Sequence, residues 1–324
     1  MRAVLILCLA AAGCALHADV VATPSTELAT VAACAGRPAQ ATKGRFRGAG
    51  TNVLAALGTP RHRGVDLIAV AGDETQTIAG KVAYSSLDRP ATAEYVDLFV
   101  CLEDGWSPLG TAVTGADGRF EHVLREAARI PTGVHDLYGH VHGDGTGFRF
   151  LAYVAARGTQ VIVADIDGTL TEGEHAIVNT VLFGDDIAHR PRAPQTLASL
   201  GTDIVYVSAR GDQYTDVTRR WLAAHGFPRG PLRLARAHLL PAGPRQQAWK
   251  VRTLRELRVP VAAAVGNRYT DIAAYASSGL RPAQILIKLP EFADEVRPAL
   301  AARRAVGFHD YRELPALVAR AVAR

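Results

Sequence analysis

The sequence predicts two folded domains, an all-β sandwich followed by an α/β domain whose parallel sheet carries helices on both faces. The chain has 324 residues, about twice the length of a typical domain. Short alternating or β-branched runs recur between residues 75 and 154, with turn signals and no helical period between them. After residue 158, continuous apolar runs alternate with segments of helical period, which is typical of parallel strands joined by crossover helices.

The β-sandwich is predicted over residues 59–157. Its strands are expected at Thr75–Tyr84, Tyr95–Cys101, Leu109–Thr114, Phe120–Leu124, Val134–Val141 and Phe148–Val154. Turn signals such as Asp104-Gly105 separate them. The stretch Thr114–Phe120 resembles the T-x-x-D-G-x-F hairpin of transthyretin-like and Ig-like sandwich domains. That resemblance favours the fold and implies no chemistry.

The α/β domain is predicted over residues 158–324. Its strands are expected at Gln160–Ala164, Asp203–Val207, Val261–Val265 and Gln284–Ile287, and its helices at Gln213–Ala224, Gln246–Leu257, Asp271–Ser278 and Glu313–Ala323. Ligands of such sheets bind beyond the carboxyl ends of the strands. Polar residues that directly follow these strands are therefore the candidate site.

The first 58 residues predict an export signal and a tether. Residues 1–16 combine one Arg, a short apolar stretch and small residues, which is typical of a secretory signal peptide. The run Leu9–Cys14 looks like a bacterial lipobox and predicts an acyl anchor on Cys14; a plain signal peptide is the alternative. Either way, we expect an exported protein of the bacterial cell envelope. Residues 17–58, rich in Ala, Thr and Gly, are expected to form a tether.

Composition and cysteine content exclude several classes of protein. Apolar residues make up 48% and charged residues 21%, which excludes a disordered chain, a collagen-like fibre and a small disulfide scaffold. The net charge is +5, but no run of five basic residues occurs and aromatic residues are only 6%, which argues against nucleic-acid binding. Cys34 and Cys101 can form a disulfide in an oxidising compartment or remain two thiols.

Two carboxylates follow the first predicted strand of the α/β domain. Asp165 and Asp167 are two residues apart and are expected to point the same way, and Gly168 allows a sharp turn. Close carboxylates repel each other, so a bound cation such as Mg²⁺ is expected to stabilise them. A carboxylate beside Mg²⁺ can attack phosphorus while its neighbour transfers a proton. The alternative is an ordinary turn with Asx hydrogen bonds.

The other strand ends carry matching groups. Ser208 and Arg210 end the second strand and can bind a phosphate oxygen. Lys250, one of four lysines in the chain, lies on the helix before the third strand. Asn267 and Asp271 follow that strand and offer oxygen ligands suited to Mg²⁺. Each residue also has an ordinary structural alternative, as a helix cap or a surface charge.

These residues resemble the four motifs of the haloacid-dehalogenase (HAD) superfamily over about residues 158–290. The motifs are D-x-D-G-T at Asp165–Thr169, Ser208, Lys250 and G-N-x-x-x-D at Gly266–Asp271. A finer similarity is to the lipin phosphatidate phosphatases and the LNS2 domain of Nir-type phosphatidylinositol-transfer proteins. It is carried by Val207–Arg210, His225–Leu232 and Gly279–Ile285. Many superfamily members have Asp where this chain has Asn267, and lipins share the Asn.

The resemblance implies a role for each residue. Asp165 would be the nucleophile and Asp167 the general acid/base. The implied phosphate-binding residues are Gly168, Thr169, Ser208, Ala209 and Lys250. The implied Mg²⁺ ligands are Asp165, Asp167, Asn267 and Asp271, with Asp167 contributing its backbone carbonyl.

The function implied is a Mg²⁺-dependent phosphatidate phosphatase that acts through an aspartyl-phosphate and releases diacylglycerol at a membrane surface. The gaps of 36 residues before Ser208 and 39 residues before Lys250 leave no room for a cap domain, and an open crevice suits a phosphate on a lipid. One alternative is a phosphomonoesterase for a non-lipid substrate. The other is a non-catalytic phosphatidic-acid-binding module, because Nir-type domains often lack the nucleophile.

Overall fold

The structure is a computed structural model that describes residues 34–173, 187–236 and 243–323. Within these ranges the chain forms a β-sandwich followed by a mixed α/β domain with a parallel sheet, as the sequence predicts. The predicted signal peptide, the lipobox with Cys14 and the first part of the tether lie outside the described residues. Across the described ranges, every helix is too short or too polar to cross a lipid bilayer.

Two sheets form the sandwich. One has the antiparallel order β1-β3-β8, and the other has the order β2-β10-β9-β6-β7, in which only the β2–β10 pair is parallel. The strands are β1 (Arg63–Val65), β2 (Leu67–Val70), β3 (Thr75–Lys81), β6 (Tyr95–Leu102), β7 (Gly105–Val113), β8 (Arg119–Arg125), β9 (Gly133–Val141) and β10 (Gly147–Ala155), with a separate hairpin of β4 (Ala83–Tyr84) and β5 (Arg89–Pro90). Alternating side chains such as Ile78, Leu98 and Leu137 fill the core between the sheets.

Part of the predicted tether is folded against the sandwich. Residues Ala49–Leu57 form helix α1, and Cys34 is bonded to Cys101 of β6. The carboxylate of Glu94 accepts hydrogen bonds from the main-chain N–H groups of Arg47 and Gly48. The tether prediction is therefore wrong for this stretch. Its composition is loop-like, but it is held by partners that are distant in sequence.

The α/β domain has a six-stranded parallel sheet in the order β13-β12-β11-β14-β15-β16. The strands are β11 (Val161–Ala164), β12 (Ile204–Gly211), β13 (Leu232–Ala235), β14 (Val261–Gly266), β15 (Ile285–Lys288) and β16 (Val306–Phe308). The four predicted strands are confirmed as β11, β12, β14 and β15. The two edge strands, β13 and β16, have only four and three residues, too few to show a pattern in the sequence.

Helices cover both faces of this sheet. They are α2 (Ala193–Ser199), α3 (Thr215–Ala224), α4 (Pro244–Glu256), α5 (Tyr269–Ser277), α6 (Ala293–Ala301) and α7 (Leu314–Val322). One core contains side chains of α2, α3 and α7 against Ile162 and Ala164 of β11. The other contains side chains of α4, α5 and α6 against the alternate β11 residues Val161 and Val163. Every second residue of β11 therefore faces a different helical layer, so the strand is apolar throughout.

The sandwich and the α/β domain share a buried interface. Ile68 and Tyr153 of the sandwich belong to the same apolar core as α4 and α5. The buried Asp66, between β1 and β2, accepts hydrogen bonds from the main-chain N–H of Leu151 and from that of Leu232, each at 2.7 Å. One carboxylate therefore joins a sandwich strand to an edge strand of the α/β sheet.

A buried histidine makes the stability of the sandwich depend on pH. Burial lowers the pKa of His62 from 6.5 to about 4, and its ring contacts Thr146 and the N–H of Ala83. Because the His62 ring is protonated at a higher pH in the unfolded chain than in the folded one, we expect the free energy of unfolding to fall as the pH drops from 6.5 to about 4. The loss is on the order of 3 kcal/mol. Denaturant unfolding at several pH values measures it.

The variant His62→Gln should lose this part of the pH dependence, whatever its stability at neutral pH. His309→Gln, which changes an exposed ring, is the matched control and should keep the wild-type slope. An unchanged slope in His62→Gln would show that other groups cause the dependence.

Candidate functional site

The predicted site residues meet at one edge of the parallel sheet. Strands β12, β11 and β14 are neighbours in that order, so their carboxyl ends lie side by side. Asp165 directly follows β11, and Asn267 directly follows β14. Ser208 and Arg210 lie in the last four residues of β12. Helix α4 brings Lys250 to the same edge.

Lys250 bridges two buried carboxylates. Its ammonium donates to Asp165 Oδ1 at 2.7 Å and to Asp271 Oδ1. The other oxygen of Asp165 accepts from the Thr169 hydroxyl at 3.1 Å. The second oxygen of Asp271 accepts from the main-chain N–H groups of Asn267 and Arg268, both at 3.0 Å. Asp271 therefore fixes the start of α5 and holds Lys250 in place.

Burial and neighbouring charges shift the pKa values of Asp165 and Lys250. Burial raises the pKa of Asp165 to about 7, with Lys250 opposing the shift and the nearby carboxylates of Asp271 and Asp167 adding to it. Burial alone would lower the pKa of Lys250, but Asp165 and Asp271 outweigh it and raise the pKa above its usual range. Lys250 is therefore charged at neutral pH.

Asp167 lies in a separate ion pair. The Arg210 guanidinium donates to both of its oxygens, with Nη2 at 2.8 Å from Oδ1 and Nε at 2.9 Å from Oδ2. The Ser208 hydroxyl donates to Asp167 Oδ2 at 2.8 Å. Arg210 is itself buried and is held by the Thr218 hydroxyl at 3.1 Å. Both oxygens of Asp167 thus face donors supplied by β12.

Gly168 and Asn267 are in close contact. Gly168 has φ +72°, and a Cβ at this position would lie 2.2 Å from Asn267 Nδ2, so any other residue would strain the backbone and displace the Asn267 side chain. The Asn267 side chain is 1% exposed, and neither its nitrogen nor its oxygen has a hydrogen-bond partner among the described residues. A buried amide without partners is unfavourable. The pair therefore leaves a polar group available for a ligand at the edge of the sheet.

The loop after β11 also offers main-chain donors. The N–H of Gly168 is bound by the Thr171 hydroxyl at 2.9 Å, and the Tyr311 hydroxyl donates to the carbonyl of Thr169 at 2.8 Å. Within the described ranges, the N–H groups of Asp167 and Thr169 donate to no protein acceptor. Two N–H groups in a turn next to a cationic residue form a typical anion site.

Three residues of the site were not assigned these roles from the sequence. Arg190 donates to the Gly168 carbonyl at 2.9 Å and pairs with Glu291, so it braces the loop after β11. Tyr311 supports the same loop. Arg210 was noted as a charge, but its pairing with Asp167 was not expected. Only the V-S-A-R ending of β12 gave a local signal; Arg190 and Tyr311 have no motif around them.

The structure brings the predicted residues together in two groups. Asp165, Thr169, Lys250 and Asp271 form one, and Asp167 and Ser208 form the other with Arg210. Ala209 is buried in β12 between Ser208 and Arg210. That Asp165, Asp167, Asn267 and Asp271 bind a metal remains a prediction. In this arrangement the carboxylate oxygens of Asp165 and Asp271 already accept hydrogen bonds from the protein, and the ligand predicted from Asp167 is its backbone carbonyl.

Family models match both domains. The model described as "PITM 1-3, beta-sandwich domain" matches residues 60–154, and that described as "PITM 1-3, LNS2 domain" matches residues 162–288. The chain therefore contains a PITM-type sandwich and an LNS2 domain. The predicted resemblance to LNS2 domains is confirmed, and the LNS2 domain contains the whole strand-end cluster from Asp165 to Asp271.

The curated relatives are much longer proteins. Human membrane-associated phosphatidylinositol transfer protein 3 is 32% identical over 237 residues, which cover 71% of this chain and 23% of the relative. Human membrane-associated phosphatidylinositol transfer protein 2 is 30% identical over 80% of this chain and 20% of its own length. Protein retinal degeneration B of Drosophila melanogaster is 26% identical over 70% and 18%. The chain thus spans less than a quarter of the length of these relatives.

Two predictions are overturned by these comparisons. The relatives are named as lipid transfer proteins and not as phosphatases, so the prediction of a phosphoric monoester hydrolase is wrong. The human and mouse relatives are named as membrane-associated, and a further relative comes from fly, so the prediction of an exported bacterial envelope protein is also wrong. The motif D-x-D-G-T does not by itself determine hydrolysis.

Proposed function

We propose that the LNS2 domain binds the phosphate monoester headgroup of phosphatidic acid in a membrane and does not hydrolyse it. The relatives are named for phospholipid transfer and membrane association, which supports a phospholipid ligand. The sheet edge offers cationic and N–H donors suited to a phosphate. The absence of room for a cap domain in the sequence between β11 and α4 supports a ligand that stays in a bilayer.

The ion pair of Asp167 with Arg210 carries the proposal. A general acid must hold a proton and present it to the leaving oxygen. Both oxygens of Asp167 instead accept hydrogen bonds from the Arg210 guanidinium, and Oδ2 also accepts from Ser208. This donor set occupies lone pairs on both oxygens of Asp167. The side chain that would transfer the proton is thus used to position Arg210 and Ser208.

Several donors remain for the headgroup. Two of the three protons of Lys250 bind Asp165 and Asp271, which leaves the third for a ligand. The N–H groups of Asp167 and Thr169 lie on the loop that begins at Asp165. Lys250 donates a hydrogen bond to the Asp165 carboxylate, which also accepts one from the Thr169 hydroxyl. A phosphate monoester can accept from all of these donors, and a phosphodiester has fewer charged oxygens to do so. We therefore expect selectivity for phosphatidic acid over phosphatidylinositol.

Magnesium is part of the proposal. Among the described residues, the three carboxylates Asp165, Asp167 and Asp271 form ion pairs with two cations, Lys250 and Arg210. A phosphate therefore adds to a net negative charge. The unpartnered Asn267 amide fits a cation ligand, and the Asp165 carboxylate is the second candidate. Mg²⁺ is commonly held by one or two protein carboxylates together with phosphate oxygens. Its contribution here would be to neutralise the headgroup.

Two finer predictions belong with this proposal. A HAD-like assignment of the sheet is supported by the order of the motifs along β11, β12, α4 and β14. An acyl anchor on Cys14 stays a prediction outside the described residues. Neither is required for headgroup binding.

Vesicle binding tests the proposal. The full chain with Mg²⁺ is mixed with phosphatidylcholine vesicles that contain phosphatidic acid, phosphatidylinositol or neither, and bound protein and released phosphate are both measured. We expect binding to phosphatidic acid vesicles without phosphate release. Ser208→Ala should weaken binding by roughly tenfold, because it removes one of the two donors to Asp167 Oδ2 and disturbs the Arg210 pair. Ser199→Ala, at the end of α2 away from the sheet edge, is the control.

Steady phosphate release from the lipid would overturn the non-catalytic proposal. Equal binding to all three vesicle types would overturn the headgroup assignment. Binding that persists unchanged in a chelator would remove Mg²⁺ from the site and leave the rest intact.

A further inference from the structure

A cleft of about 630 Å³ lies between the sandwich and the LNS2 domain. Its walls are β2, β3 and Glu121 of β8 on the sandwich side, and β13 and α4 on the LNS2 side. The volume is within the range of small-molecule sites, which is roughly 300–1,000 Å³. No role of this cleft follows from the strand-end motifs.

One face of α4 points into the cleft. Arg245, Trp249, Arg252, Thr253 and Glu256 all line it, and their spacing of four, seven, eight and eleven residues places them on a single side of the helix. Lys250 lies on another side and reaches the sheet edge. The same helix therefore supplies a residue to the headgroup site and a separate row of residues to the cleft.

The arginines of the cleft differ from the other arginines at the domain boundary. Four arginines elsewhere at the boundary each form an ion pair with an aspartate of the opposite domain: Arg63, Arg119, Arg219 and Arg229. Within the described ranges, Arg236, Arg245 and Arg252 make neither an ion pair nor a side-chain hydrogen bond. Among the described residues, the domain boundary thus neutralises most of its arginines and leaves three without a partner around one cleft.

The acidic residues of the cleft do not balance these charges. Asp66, Asp73 and Asp212 line the cleft, but each is paired with an arginine. Glu121 and Glu256 are the two lining carboxylates without an ion pair among the described residues. Arg233 lines the cleft as well and donates only to the carbonyl of Asp66. In the part of the chain that the structure describes, the cleft therefore has four guanidinium groups without a carboxylate partner and two glutamates without an ion pair.

We propose that this cleft binds a compact anion with two or more phosphate groups, held by Arg236, Arg245 and Arg252. Planar guanidinium groups bind phosphate through paired hydrogen bonds, and several are needed to outweigh Glu121 and Glu256. A single phosphate can contact only one or two of the arginines. The phosphates can belong to a soluble molecule or to a lipid headgroup, since both present the same chemistry.

Calorimetric titration of the full chain tests this site. The probes are inorganic phosphate, pyrophosphate and inositol 1,4,5-trisphosphate, and a separate arm uses vesicles with a lipid that carries the same trisphosphate headgroup. We expect the trisphosphate to bind more tightly than pyrophosphate and inorganic phosphate. The double variant Arg245→Gln with Arg252→Gln should weaken trisphosphate binding by roughly tenfold or more. Binding to vesicles alone would identify the lipid as the source.

Arg255→Gln is the matched control, because Arg255 is on the same helix but donates to the Ser277 carbonyl of α5. It should bind the trisphosphate as the wild type does. Failure of the wild type to bind any probe at millimolar concentration would overturn the proposal, as would an equal effect of Arg255→Gln and the double variant. The phosphatidic acid assay separates the two sites, since the double variant retains Lys250, Ser208 and Arg210.

Discussion

Replacing Asp66 by alanine is expected to destabilise the folded chain by about 3–5 kcal/mol. The carboxylate is buried and accepts hydrogen bonds from the N–H groups of Leu151 and Leu232. It also forms an ion pair with Arg219 at 2.9 Å. Alanine leaves the two buried N–H groups and the Arg219 charge without their partner, which costs far more than the lost contact itself. Urea unfolding followed by tryptophan fluorescence measures the change.

Asp294→Ala is the control for this experiment. Asp294 is 89% exposed and pairs only with Arg297 of the same helix, so its loss should change stability by less than about 0.5 kcal/mol. Because Asp66 joins the two domains, the sandwich and the LNS2 domain of the variant should also unfold in two separate transitions. A loss below about 1 kcal/mol, or a single unchanged transition, would contradict the role of Asp66 as the link between the domains.

Replacing Lys250 by methionine should have an effect of similar size and also abolish headgroup binding. The variant leaves Asp165 and Asp271 buried side by side without a cation, which is expected to destabilise by about 3–5 kcal/mol. It also removes the ammonium that faces the phosphate. Thermal unfolding and the phosphatidic acid vesicle assay measure the two consequences.

The loss in Lys250→Met should depend on pH. The pKa of Asp165 is already raised to about 7 by burial, and removal of Lys250 takes away the charge that opposes the shift. When a carboxyl has a higher pKa in the folded state than in the unfolded state, the protein becomes less stable as the pH rises from about 4 through the pKa of the folded state. The difference in melting temperature between variant and wild type should therefore be smaller at pH 5 than at pH 8.

Lys43→Met changes an exposed lysine and should melt like the wild type at both values. A pH-independent difference for Lys250→Met would show that Asp165 is not the group that responds to the loss of Lys250.

Much of the site could be predicted from sequence because its motifs lie next to strong strand signals. Val161–Ala164 is apolar throughout, so the position of Asp165 and Asp167 at a strand end follows from local pattern alone. The same holds for Asn267 after Val261–Gly266. The partners of these residues could not be assigned in this way: Asp167 was expected to transfer a proton, yet Arg210, 43 residues away, holds both its oxygens.

The sequence by itself determined the order of the two domains, the parallel strands and the edge of the sheet where Asp165, Ser208, Lys250 and Asn267 meet. Periodicity and turn residues, which act over a few positions, place each strand end, and the parallel direction of the strands brings these ends to one edge. The tertiary structure decided how the domains join and which charges are neutralised. Asp66 binds Leu232 across 166 residues and Arg63 binds Asp212 across 149, so their pairing exists only once both domains have packed.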